Sequence, residues 1–222
     1  RSVSRGLGDV YKRQKRPRGR PPSISREQIL EAAHSLPSHE LTMPAVAKIL
    51  GVKTPALYHH FKNRNDLLRT MGEELIQGLD VSTGDPQQWR SWLLVKARDS
   101  VAFYVDNPVL MELDNAARSL AFGMQLTESV LETLEGAGFT AMESFYIWNL
   151  VSYHISTEAR TQIEMLKPGY EDQLAVFEKT LESYRLKTPR TCKLFDELGW
   201  ERPIEHFEVS LRWIIEKIPE PG

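Results

Sequence analysis

The stretch Thr42–Lys62, TMPAVAKILGVKTPALYHHFK, reads as two short helices joined by a tight turn. The Thr42 hydroxyl can cap the first helix. Val46, Ile49 and Leu50 then fall on its inner side, and Gly51 stops it. A second helix runs from about Thr54 to His60. Pro55 sits in its first turn, where the missing N–H is tolerated. Two helices joined in this way can lay the second in the major groove of DNA, with its N-terminal side chains at base edges and phosphates. The spacing alone fits a plain helical hairpin equally well, so the surroundings must decide.

The surroundings are basic. Residues 1–72 hold 14 Lys and Arg against 5 Asp and Glu, a net of +9. Residues 73–222 hold 14 against 25, a net of -11, which leaves the 222-residue chain at -2. Such an asymmetry implies two kinds of partner, with nucleic acid at the basic end. Residues 1–14 do not begin with Met and show no helical or strand period. They are set aside from the fold as a stretch that need not be native. Without them, residues 15–72 still carry 10 basic side chains against 4 acidic ones. The arm Lys15–Pro22, KRPRGRPP, resembles an AT-hook core, in which Arg18 and Arg20 would run along an A·T minor groove. It reads equally well as a solvated charge run that adds non-specific attraction. Either way, residues 1–22 are expected to be a disordered basic arm.

Outside this segment apolar residues recur at three- and four-residue spacings, and nothing reads as a strand, so the expected fold class is all-α. Ser25 can cap a first helix with Ile29, Ala33 and Leu36 inward. Asn63 can cap a fourth, running through Leu67, Leu68, Met71 and Leu75 to about Leu79, with Asp66 in a box-like position. A Gly/Pro/Ser-rich joint follows at Val81–Pro86. Further helices are expected over Gln87–Val105, Val109–Ala117, Gly123–Leu134, Thr140–Met165, Glu171–Tyr184 and Ile204–Ile218, with a variable stretch before Gly199. The expected division is a basic arm (1–22), a helix-turn-helix head (23–72) and a helical body (73–222) for effector binding and dimerisation.

The stretch LTMPAVAKILGVKTPALYHHFKNRNDLLRTM resembles the DNA-binding domain of TetR-family transcriptional regulators. The residues that carry the likeness are Thr42, Gly51, Val52, Leu57, Tyr58, His60, Phe61, Lys62, Leu67 and Leu68. The resemblance implies a homodimer that binds a palindromic double-stranded DNA operator and is released by a small-molecule effector. It assigns base or backbone contact to Lys53 and Thr54 and phosphate contact to Thr42, Tyr58, His59 and Lys62. Pro55 could touch a thymine methyl, and Arg64 is expected to face DNA for its charge. His60 is expected to pack beneath the helix.

The body is similar to the tetracycline-repressor branch, through Gly138-Phe139 and Val151-Ser152. It departs from that branch where Met111 and Asp80 stand in place of two drug- or metal-contacting histidines. That argues against a tetracycline–metal ligand and for an apolar or aromatic effector. Candidate effector contacts are Phe103, Met111, Phe122, Gln125, Trp148 and His154. The family's dimer interface maps onto Phe207, Leu211, Ile214, Ile215 and Ile218. The helix Thr140–Met165, apolar nearly all round from Phe145 to Tyr153, is expected to be buried on more than one side.

Other classes fare worse. No apolar run nears the length that spans a bilayer. The lone Cys192 excludes an internal disulfide and fits a reducing, cytoplasmic setting. No metal-ligand spacing and no cofactor motif is present. Asp99, Asp106, Glu112 and Asp114 lie on polar faces and read as solvated charge rather than catalytic pairs, so no enzyme is expected. The alternative is a ligand-independent activator or architectural DNA-binding protein.

Overall fold

A computed structural model describes residues 24–77, 80–113, 123–198 and 203–222. The described residues are helical and contain no strand. We number the α-helices α1 (Arg26–His34), α2 (Met43–Ile49), α3 (Arg64–Ile76), α4 (Trp89–Asp106), α5 (Val109–Glu112), α6 (Met124–Gly136), α7 (Ala141–Met165), α8 (Tyr170–Tyr184), α9 (Pro189–Leu198) and α10 (Pro203–Lys217). Three 3-10 helices, Ser38–Glu40, Thr54–His59 and Pro86–Gln88, punctuate them.

The caps anticipated from sequence are made. The Ser25 hydroxyl accepts from the Gln28 amide while the Gln28 side chain accepts from the Ser25 amide, a closed capping box on α1. Thr42 and Asn63 cap α2 and α3 through the amides of Ala45 and Asp66. Gly51 has φ +65°, and a Cβ there would meet nothing within 4 Å. Its need for glycine is therefore conformational, not steric. The Gly51 amide donates to the Lys48 carbonyl and the Val52 amide to the Ala47 carbonyl. That pair of bonds ends α2 and turns the chain into the recognition helix, Thr54–His59.

Beneath the turn, Ile29, Ala33, Leu41, Val46, Leu57, Phe61, Leu67, Leu68 and Met71 are buried together. One expected member is absent. Ile49 is 49% exposed, because the inner stripe of α2 is Met43, Val46, Ala47 and Leu50. At ~100° per residue, position 49 lies about 110° from the centre of that stripe.

In the body, α7 packs on α4, α6 and α10. Its Trp148, Val151, Ile155 and Ala159 are buried. The opposite face, Met142, Tyr146, Leu150 and Tyr153, is exposed, so a single chain covers one side of this helix and not several. The Trp89 ring meets Phe139 edge-on at 5.1 Å, fixing the start of α4 against the turn between α6 and α7. Where a variable stretch was expected, α9 forms a hairpin with α8. Phe177 and Phe195 meet edge-on at 5.5 Å and Cys192 is buried between the two helices, its thiol directed at the Leu181 carbonyl. The first-turn proline, Pro189, is the available signal for α9.

The last helix requires a correction. Phe207, Leu211 and Ile215 are buried in the chain's own core, and Ile218 is half-buried against it. Phe207, Leu211 and Ile215 thus leave almost no surface for a second chain, while Ile214 and Ile218, both half-buried, keep some. The face of α10 left open carries Val209 and Trp213.

Two residues with no exposed surface should respond in opposite ways to alanine. Leu211→Ala removes buried methylenes and should lower unfolding free energy by about 2–5 kcal/mol. Ser144 buries a hydroxyl that has no hydrogen-bond partner. Ser144→Ala should therefore be neutral or stabilise by up to ~1 kcal/mol in denaturant titration.

Candidate nucleic-acid interface and effector region

The recognition helix holds Leu57 and, just beyond it, Phe61 in the core. The remaining side chains of this segment face outward. Lys53, Pro55, Tyr58, His59 and Lys62 are exposed, Tyr58 by 51%, while Thr54 and His60 are half-buried. Thr42 is exposed as well, and its oxygen accepts from the Ala45 amide at 3.2 Å. The hydroxyl proton remains able to donate outward, as a phosphate contact needs. The helix-turn-helix thus presents Thr42, Lys53, Tyr58, His59 and Lys62 on the surface of one small, well-packed unit. Arg18 and Arg20 lie outside the described residues.

Two positioning devices sit behind this surface. The Asp66 carboxylate accepts from the Lys62 amide at 3.0 Å and from Arg69 at 2.6 Å. The Lys62 amide first, then Arg69, holds the Asp66 carboxyl below its usual range. The Arg26 guanidinium lies 4.5 Å over the Phe61 ring and donates to the Thr70 hydroxyl at 2.8 Å, tying α1 to α3. Arg64, expected from its charge to face DNA, is engaged within the chain. Its guanidinium donates to the Leu41 carbonyl and to the Glu112 carboxylate. Glu112, expected to be solvated charge, is that partner.

Two of the candidate effector residues, Trp148 and His154, serve different helix contacts. Trp148 is buried and its indole N–H donates to the Thr127 hydroxyl at 2.9 Å, so it joins α7 to α6. His154 stacks on Phe207 at 5.0 Å and shares a 2.8 Å hydrogen bond with Ser210, so it joins α7 to α10. Six residues apart on one helix, the two point about 120° away from each other. Gln125 is exposed on α6. Phe103 is half-buried, Met111 is buried on α5, and Phe122 lies outside the described residues. Among the described residues no group of three His, Cys, Asp or Glu could hold a metal ion. No described helix is long and apolar enough to cross a membrane.

Asp80, at the other substituted position, belongs to the joint. Its carboxylate accepts from the Ser82 amide at 2.9 Å and from the buried Lys96 ammonium at 3.0 Å. The Ser82 bonds first, then Lys96, lower the Asp80 carboxyl to about 2. The Gly84 amide donates to the Thr133 hydroxyl, so the joint is strapped to both α4 and α6.

A chain with this helix-turn-helix on a helical body falls in the class of helical DNA-binding regulators. Residues 29–71 match the family model for bacterial regulatory proteins of the tetR family, and residues 83–220 match that of the tetracyclin repressor-like C-terminal domain. The chain belongs to the tetR family. It is similar to a tetracycline repressor protein class C of Escherichia coli, 30% identical over 84% of each chain. It is also similar to an HTH-type transcriptional repressor of Mycobacterium tuberculosis, 32% identical over 65% of this chain; the match spans 58% of that relative's length. In fold it resembles ActR of Streptomyces coelicolor, solved with actinorhodin, at a TM-score of 0.68 and 20% identity, covering 88% of this chain and 95% of that one.

The depressed Asp80 carboxyl makes a pH prediction. A lowered folded-state pKa stabilises the protein above the unfolded value, 3.8, and that contribution fades as pH falls toward 2. Asp80→Asn should lower stability near neutral pH, by no more than ~1 kcal/mol through the largely exposed carboxylate itself and further by leaving the buried Lys96 ammonium without its counter-ion. The variant and parent should converge between pH 4 and 2 in thermal melts.

Proposed function

We propose that this chain is a homodimeric transcriptional repressor that binds a palindromic DNA operator and is released by a small-molecule effector. The observation that carries the reading is the outward set Thr42, Lys53, Tyr58, His59 and Lys62 on a helix-turn-helix whose inner face is closed by Leu57 and Phe61. Thr54 and Pro55 complete the base-facing edge, and Arg18 and Arg20 of the arm add minor-groove or phosphate contact. The division into arm (1–22), head (23–72) and body (73–222) is part of the same proposal, as is a place of action where the operator DNA lies, the cytoplasm.

The second subunit docks on the bare apolar face of α7 and α10: Tyr146, Leu150, Tyr153, Val209 and Trp213. His154 against Ser210 sets these two helices side by side, so their exposed residues form one surface. Pairing there would account for the unburied half of α7, and it supplies two recognition helices to two half-sites.

The effector is an apolar or aromatic molecule held in the body. Met111 is buried on α5 and Asp80 is engaged with Lys96, so neither offers the ligands of a metal–drug complex. Effector binding shifts α3 and the separation of the heads, and it does so only as far as it favours the DNA-incompetent state.

Selection from a random DNA pool tests the reading. The wild-type chain should enrich an inverted repeat. Lys53→Ala should cost ~1–3 kcal/mol per half-site and relax preference at one position in each, whereas Lys62→Ala should weaken all sequences alike and reduce the salt slope by about two, one for each subunit. Enrichment of a single half-site, or of bent A·T-rich DNA without a repeat, would favour the ligand-independent architectural alternative.

A further inference from the structure

Arg64 opens α3, at the end of the helix where the macrodipole disfavours a cation. Its position is made tenable by two acceptors that belong to different parts of the molecule. The Nε group donates to the Leu41 carbonyl at 2.6 Å, immediately before Thr42, the cap of α2. The other edge of the fork donates to Glu112, at the end of α5 in the body. Both side chains are about a third exposed, so the pair is neither buried nor freely solvated.

The rest of the contact between α3 and α5 is apolar and close. A Cβ on Gly72 would lie 3.1 Å from Leu113 and 3.3 Å from Leu110. Gly72 lies eight residues beyond Arg64, about 12 Å along the helix. The short helix α5 therefore touches α3 at a tight apolar seat and reaches, through an ion pair, the loop that starts the helix-turn-helix.

We propose that Arg64 is a positioning residue that latches α2 to the body: through one guanidinium, the place of Glu112 sets the place of Leu41 and hence of the Thr42 cap. A displacement of α5 is then felt at α2 directly, and not solely through the tilt of α3. Arginine suits this role because its planar fork holds two acceptors at a fixed angle, which a lysine ammonium on a flexible stem does not. The same pairing withdraws one cation of the basic head from DNA.

The latch bears on DNA only through the function proposed above, so its test begins without DNA. Hydrogen exchange on the full chain compares wild type, Glu112→Gln, Arg64→Lys and the double variant. The amides of residues 43–50 should exchange about fivefold faster in each single variant, the scale of one partly exposed ion pair. The double variant should be no faster than either single one. Peptides from α6 and α7 should be unchanged. Unaltered exchange at 43–50 after Glu112→Gln, or an equal acceleration everywhere, would overturn the latch. On a DNA site selected by the wild-type chain, Glu112→Gln should also lower the ratio of selected-site to random-DNA affinity about fivefold; an unchanged ratio would count against it. If the wild type selects no DNA, the function proposed above falls, while the exchange result still decides the latch.

Discussion

The structure depends on one helix serving two cores. Leu67, Leu68 and Met71 of α3 close the underside of the helix-turn-helix, while Gly72 of the same helix seats Leu110 of α5 and Leu113 just after it. Glycine inside a helix costs about 0.5–1 kcal/mol against alanine, and here it admits a leucine pair that a Cβ would crowd. The buried residues of head and body, apart from the seam between α8 and α9, accordingly form one continuous cluster from Ile29 to Ile215. The outward face of the helix-turn-helix is not hung on a flexible tether. It sits on a helix whose other side is part of the body.

That continuity gives the charge asymmetry a structural meaning. The cations of the head divide into those that face outward, Lys48, Lys53 and Lys62, and those consumed in holding the head together. Arg26 joins α1 to α3, Arg69 serves Asp66, and Arg64 bridges to the body. In the body, charge works differently. Lys96 and Asp80 strap the joint to α4, Arg98 pairs with Glu208 to bind α4 to α10, and Arg90 holds Glu220 and the Ile218 carbonyl at the end of the chain. Net charge alone separates the two regions but does not say which side chains reach a partner.

Much of the fold was legible because its signals are local. Ser25, Thr42, Asn63 and Thr140 each cap the helix expected of them, and Gly51 turns the chain where its left-handed φ was needed. The exposure of Tyr58 and His59 over buried Leu57 follows from the same local pattern. What sequence could not supply was the choice of partner across the molecule. Leu211 and Val209 lie two positions apart on one apolar helix, and only packing against α4 and α7 decides which is core and which is surface. Trp148 and His154 are six residues apart, and the turn of α7 sends them to different neighbours. Arg64 and Glu112, 48 positions apart, carry no mutual signal in the chain. The helix α9 was missed because its short apolar seam, Cys192 and Phe195, makes sense only against Phe177 and Leu181.

Scanning calorimetry of the full chain tests most directly whether head and body form one unit through α3. Unfolding should appear as one transition, with calorimetric and van't Hoff enthalpies in agreement, and a core substitution in either region, Leu57→Ala or Ile155→Ala, should move that single midpoint. Two transitions, with Leu57→Ala shifting one and leaving the other in place, would contradict the account.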